Sequence, residues 1–227
     1  MEGIKDLVEA LKEFIWDVIG YFVPGIYLII LLSSCIEPSR YIASPLVGEK
    51  DSAVNFITVI IAYILGYLIY GIGEIKENIL GSYSYKQRIQ LKIKATKEFT
   101  LATELLQKKL DADNVHTTIN QLEFSGVRSI AMGYAPDADK KVYTFMFRAD
   151  LSRHVANTSF IIGLLALISC WIASSHPDLK IFYSGGTYIA LYVLLLLCCF
   201  ALNVTRNIFY KMAMRLPFQV FISIHNK

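Results

Sequence analysis

The sequence predicts an all-α membrane protein with four transmembrane helices and a helical cytoplasmic insertion between the second and the third. Three observations predict it. Hydrophobic residues make up 55% of the 227 residues and charged residues only 18%, with a mean hydropathy of +0.46, too apolar for a soluble domain of this length. Four apolar runs each approach the roughly 20 residues that a helix needs to cross about 30 Å of hydrocarbon, where a helix satisfies its own backbone hydrogen bonds. A long polar stretch rich in Lys and Arg separates the second run from the third.

Residues 1–14 place Ile4, Leu7, Val8, Leu11 and Phe14 at helical spacing against Glu2, Lys5, Asp6, Glu9, Lys12 and Glu13, the pattern of an amphipathic helix. Such a helix can lie on the inner membrane surface or pack against other copies beneath a pore. The first apolar run spans Ile15 to Ile36, with Pro24 expected to kink it because proline removes a backbone donor. Leu32-Ser33-Ser34-Cys35 has the form of a lipid-attachment box, but the region before it is net negative where a signal peptide is positive. The second run spans Val54 to Ile72, the third Val155 to Ala173 and the fourth Phe182 to Val204. Gly20 and Gly25 on the first run and Gly66 and Gly71 on the second permit close helix approach. Within the insertion, Tyr85 to Leu110 and Val115 to Met132 read as helices, Pro136-Asp137 marks a helix start, and the pattern from Ala138 continues unbroken into the third run. The expected organisation is therefore an amphipathic helix (1–14), a transmembrane hairpin (15–72), a cytoplasmic helical domain (73–154), a second hairpin (155–204) and a cytoplasmic C-terminal tail (205–227).

Charge sets the expected orientation. Nineteen of the 22 Lys and Arg residues fall on the side that carries both termini and the insertion, against three, Arg40, Lys50 and Lys180, on the other. By the positive-inside rule the termini are cytoplasmic. The same count restricted to Lys76, Arg148, Arg153, Arg206 and Lys211 at the edges of the runs agrees. Cys35, Cys170, Cys198 and Cys199 lie in or at the ends of apolar runs without C-x-x-C or paired His spacing, so neither a metal nor any other cofactor is expected. A disulfide between Cys35 and Cys170 is sterically conceivable; the plainer reading is small apolar fillers. A net charge of +3 does not by itself argue a nucleic-acid surface, and nucleic acid stays open as a partner.

Polar side chains within membrane runs are costly and so are candidates for function. Asp17, Glu74, Asn203 and Arg206 fall at one expected membrane depth, the inner mouth, where Asp17 or Glu74 can pair with Arg206; the alternative is interfacial residues reaching water. Tyr63, Tyr67, Tyr70 and Glu74 fall at i, i+4, i+7 and i+11 and form one stripe on the second run, placed to line a wet path, to hydrogen-bond another helix, or simply to pack.

At the base of the third run, Arg148-Ala149-Asp150-Leu151-Ser152-Arg153-His154 forms an Arg-x5-His pattern. It resembles the motif of HEPN ribonucleases, which implies Arg148 as the phosphate-binding cation and His154 as the acid/base group. Ala149 stands where that family usually has a polar residue. The competing reading, preferred here, makes Arg148, Arg153 and His154 headgroup anchors, with Asp150 pairing to His154 one turn on. The even number of runs, the helical insertion and this pattern together resemble the HEPN-like small membrane accessory proteins of bacterial anti-phage systems, encoded beside the RNA-guided RNase of type VI-B CRISPR loci. The four-span plan is shared with the membrane component of the Kiwa defence system. The resemblance implies a homo-oligomeric pore or membrane-perturbing effector in the bacterial inner membrane, answering to a cytoplasmic defence-system protein. A membrane-tethered ribonuclease and a non-conducting anchor that recruits a soluble partner are the rival functions. Membrane lipids are partners in each case.

Overall fold

The computed structural model describes residues 2–36, 52–80 and 85–225, with side chains from Val18 onward in the first segment. Seven α-helices occur among these residues: α1 (Glu2–Cys35), α2 (Ser52–Leu80), α3 (Tyr85–Lys94), α4 (Lys97–Ala112), α5 (Phe124–Gly133), α6 (Asp137–Ser175) and α7 (Gly186–His225). Short 3-10 turns at Ile119–Gln121 and Pro177–Leu179 complete the described elements. Four helices, α1, α2, α6 and α7, are long and apolar enough to cross a membrane. Large apolar side chains point outward from them, including Phe56 at 67% exposure, Trp171 at 77% and Phe200 at 74%. Leaving such side chains in water forgoes roughly 1.5–3 kcal/mol each, so lipid is their natural surrounding and the chain is a membrane protein.

The helices differ in length from the apolar runs that nucleate them. The expected amphipathic helix and first run are one 34-residue helix that continues through Pro24, whose ring is buried. The amphipathic face itself, residues 1–14, lies outside the described side chains. The long helix expected from Ala138 is present as α6, and α7 does not stop at Val204 but runs on to His225. At 39 and 40 residues these two are about 60 Å long, twice the thickness of the hydrocarbon.

The chain divides into two compact units, residues 1–76 with 150–205, and residues 77–149 with 206–227. In the first, α1 and α2 touch backbone to backbone. A Cβ on Gly25 would stand 1.7 Å from the Ala62 carbonyl oxygen, and one on Gly66 would stand 1.8 Å from that of Tyr21. Gly71, also expected to allow approach, faces open space. Leu31, Cys35, Ile162, Ala166, Phe182, Tyr192 and Leu195 form this unit's apolar core. Polar contacts close its end: the Tyr183 amide donates to the Cys35 carbonyl at 3.0 Å, and the Tyr192 hydroxyl and Cys170 thiol both donate to the Tyr183 carbonyl. Cys35 and Cys170 are free thiols.

The second unit is a small helical bundle. The stretch 85–110 is two helices rather than one, since Thr96 adopts an extended backbone and its hydroxyl accepts from the Phe99 amide at 3.3 Å, capping α4. The stretch 115–132 is α-helical only from Phe124, after the 3-10 turn at Ile119–Gln121. Asn114 takes a positive φ of 57°, and Gln107 holds the following loop from both sides, its carbonyl accepting from the Ile119 amide and its amide donating to the Thr117 carbonyl. Those bonds satisfy loop backbone that would otherwise favour helix. Residues 206–225 are not a tail: Tyr210, Met214, Phe218 and Phe221 of α7 are buried in the same core as Ile93, Leu106, Phe124 and Val127. Phe218 packs edge-on against Phe99 and Phe124 at 5.0 and 5.7 Å.

Candidate functional site

The first turns of α6 within the first unit carry a run of buried polar residues: Arg153, His154, Asn157, Thr158 and Ser159. Thr158 and Ser159 donate back to the carbonyls of His154 and Val155, which disposes of their hydroxyls locally. Ser159 also shares a 2.9 Å hydrogen bond with Tyr27 of α1. Arg153 needs more than its own helix, because a buried cation is tolerated only when paired and hydrogen-bonded.

That partner is Glu74. Arg153 Nη1 donates to Glu74 Oε1 at 2.6 Å, Asp150 lies 3.6 Å from Nη2, and the guanidinium sits 5.3 Å from the Tyr70 ring centroid. The arrangement joins a charge-assisted hydrogen bond to a cation–π contact. The His154 ring packs 5.3 Å from the same tyrosine. Beside them, Lys76 Nζ donates to Asn157 Oδ1 at 2.9 Å, while Asn157 Nδ2 is buried without an acceptor among the described residues. An unmet buried donor costs about 1–3 kcal/mol, so such a group is a place for water or a further polar partner. Gly73 makes room for this arrangement, as a Cβ there would stand 3.1 Å from Asn157 Nδ2.

Toward the middle of α2 the cluster continues as tyrosines. Tyr21 of α1 stacks on Tyr67 at 3.9 Å and 11°, and meets Tyr63 and Tyr70 edge-on at 6.0 and 5.7 Å. The Tyr63 hydroxyl donates to that of Tyr67 at 3.3 Å. Tyr67 is 47% exposed amid the outward-facing Ile60, Ile64 and Leu68.

Comparisons with family models, curated proteins and solved structures return no match. The site therefore stands on its own geometry.

The expected stripe of Tyr63, Tyr67, Tyr70 and Glu74 thus comes together with Arg153 and His154. Glu74, offered Arg206 by its depth, is held by Arg153. Arg206 is buried within the second unit. Asn203 donates to the Cys199 carbonyl of its own helix at 2.9 Å, and the side chain of Asp17 lies outside the described residues. Of the Arg-x5-His pair, His154 belongs to the first unit, whereas Arg148 belongs to the second, its guanidinium 5.8 Å from the Phe209 ring. No group of three or more His, Cys, Asp or Glu able to hold a metal occurs among the described residues. Tyr21, Lys76 and Asn157 were not singled out as site residues from the sequence. Asn157 lies inside the third apolar run and was selectable by the rule that picked Asn203; Tyr21 needed the Gly25 and Gly66 crossing to place it.

Proposed function

We propose that the chain forms an oligomeric pore or membrane-perturbing assembly, in which copies meet over the α1–α2 face that carries the tyrosine cluster. One observation supports this reading above others: phenol groups of Tyr63 and Tyr67 lie at an otherwise apolar, outward-facing helix surface, and the same helix carries Glu74 bound to Arg153. The two hydroxyls bond each other there, and a neighbouring copy or a wet lumen is the surrounding that suits such a polar pair on an apolar face. Four spans are too few to enclose a conduit alone, so several copies contribute. The orientation follows the positive-inside count, with both termini and the basic second unit in the cytoplasm of a bacterial cell. Anti-phage defence as the setting, with a cytoplasmic defence protein acting through the second unit, rests on the architectural resemblance alone.

The test combines particle mass in lipid nanodiscs with voltage-dye readout in expressing cells during phage challenge. A multimer that depolarises the membrane, and a Tyr63→Phe/Tyr67→Phe variant that loses assembly and depolarisation while keeping its thermal stability, are the expected results. A monomer with unchanged membrane potential overturns the reading.

A further inference from the structure

A lysine at a membrane edge ordinarily stretches away from the hydrocarbon to put its charge in water. Lys76 does the opposite. It closes the 21-residue apolar stretch of α2, Phe56–Lys76, and its ammonium turns to α6, donating to Asn157 Oδ1 at 2.9 Å. Asn157 stands level with Gly73, where a Cβ would lie 3.1 Å from Asn157 Nδ2. Gly73 is three residues, about 4.5 Å, nearer the middle of the span than Lys76, so the lysine reaches back toward hydrocarbon. Only one of its three ammonium protons is used there. Lys76 is exposed and has no carboxylate partner among the described residues, whereas the neighbouring Arg153 is committed to Glu74. Across the same carboxamide, Asn157 Nδ2 is a second donor, buried without an acceptor among the described residues. A cation held in place beside an unmet donor calls for an anionic oxygen.

Apolar surface begins on the hydrocarbon side of that ammonium. Ile72 and Leu68 precede Lys76 by four and eight residues on one ridge of α2, and they are 47% and 57% exposed. From the end of the span toward its middle, the surface therefore reads cation first and aliphatic side chains next. That is the order of phosphate and acyl chain in a leaflet. Every residue in it belongs to the first unit.

We propose that Lys76, fixed by Asn157, is the headgroup site for an anionic phospholipid of the surrounding leaflet, with the phosphate on the ammonium and an acyl chain along Ile72 and Leu68. Asn157 is the positioning residue, keeping the charge against the helix instead of in water. The site is independent of whether the chain conducts.

Native mass spectrometry of the full-length protein, released from nanodiscs containing equal phosphatidylglycerol and phosphatidylcholine, tests it. Wild type is expected to retain phosphatidylglycerol selectively. Lys76→Gln should lower that retention about five-fold, the loss of one cation near an anionic surface, and Lys76→Arg should restore it. Asn157→Leu keeps the lysine but releases it, and should also lower retention; its thermal melt should hold or rise, since the substitution removes a buried donor without an acceptor. Equal retention of the two lipids, or no change in Lys76→Gln, overturns the proposal. It is equally overturned if Asn157→Leu retains as much lipid as wild type, or if water-soluble glycerol phosphate competes as well as intact lipid, because the acyl chain would then have no seat on α2.

Discussion

Glu74 and Arg153 do not bear the loss of a partner equally. The Arg153 side chain is 3% exposed and that of Glu74 36%, so a carboxylate that loses its partner can turn to water or headgroups, while the buried guanidinium loses its shortest bond and keeps the longer contact to Asp150 at 3.6 Å. Glu74→Gln should therefore destabilise the protein in detergent by about 3 kcal/mol, and Arg153→Met, which keeps the volume, by less than half of that. Thermal melts of both variants decide it, and equal losses would mean that the pair is solvated. In the second unit, the hydrogen bond from Arg215 holds the Glu98 carboxyl below the ordinary glutamate range, with Gln219 assisting. The folded state then binds the proton less readily than the unfolded chain. Its stabilisation is complete above the usual glutamate pKa of about 4.3 and fades as pH falls through the lowered value. A melt series from pH 7 to pH 3 should show this loss, and Glu98→Gln should flatten that part of the profile.

Helix contacts explain why two glycines on α2 differ. Gly66→Ala would drive a methyl group into the Tyr21 carbonyl, backbone against backbone, whereas Gly71→Ala meets nothing within 4 Å. The first substitution should part α1 from α2 and cost several kcal/mol, undoing the Tyr21–Tyr67 stack. The second should be neutral or stabilise by about 0.5–1 kcal/mol, since alanine loses less backbone freedom in a helix. Cysteine crosslinking between the two helices, compared across both variants, separates these outcomes. The glycines themselves were visible as spacers in the sequence, but which of them makes contact was not, because residues five apart on a helix face different directions.

Across the chain as a whole, the division into two units makes the end of α7, from Arg206 to His225, structural. Removing residues 206–227 takes Tyr210, Met214, Phe218 and Phe221 out of the second unit's core. Each such side chain is worth roughly 2–5 kcal/mol when buried, more than a bundle of this size can lose. The truncated chain should insert into membranes, yet residues 85–149 should become sensitive to limited proteolysis. Protection equal to that of the full chain would show that those residues fold without α7.

Hydropathy is a local and additive property, which is why the four membrane-length helices, the polar middle stretch and the merger of residues 138–175 into one helix were legible in the amino acids. The tyrosine stripe was legible for the same reason, being a periodicity within one helix. Partners distant in sequence were not. Glu74 and Arg153 are 79 positions apart, and depth in the membrane pointed to Arg206 for Glu74, whereas packing gives it Arg153. The second unit's use of α7 was likewise hidden, because a composition that reads as a tail becomes core only when α4, α5 and α6 present apolar faces to receive it. Local sequence governs which segments become helices and which solvent suits them; the choice among polar and apolar partners is a long-range competition, and only the folded chain resolves it.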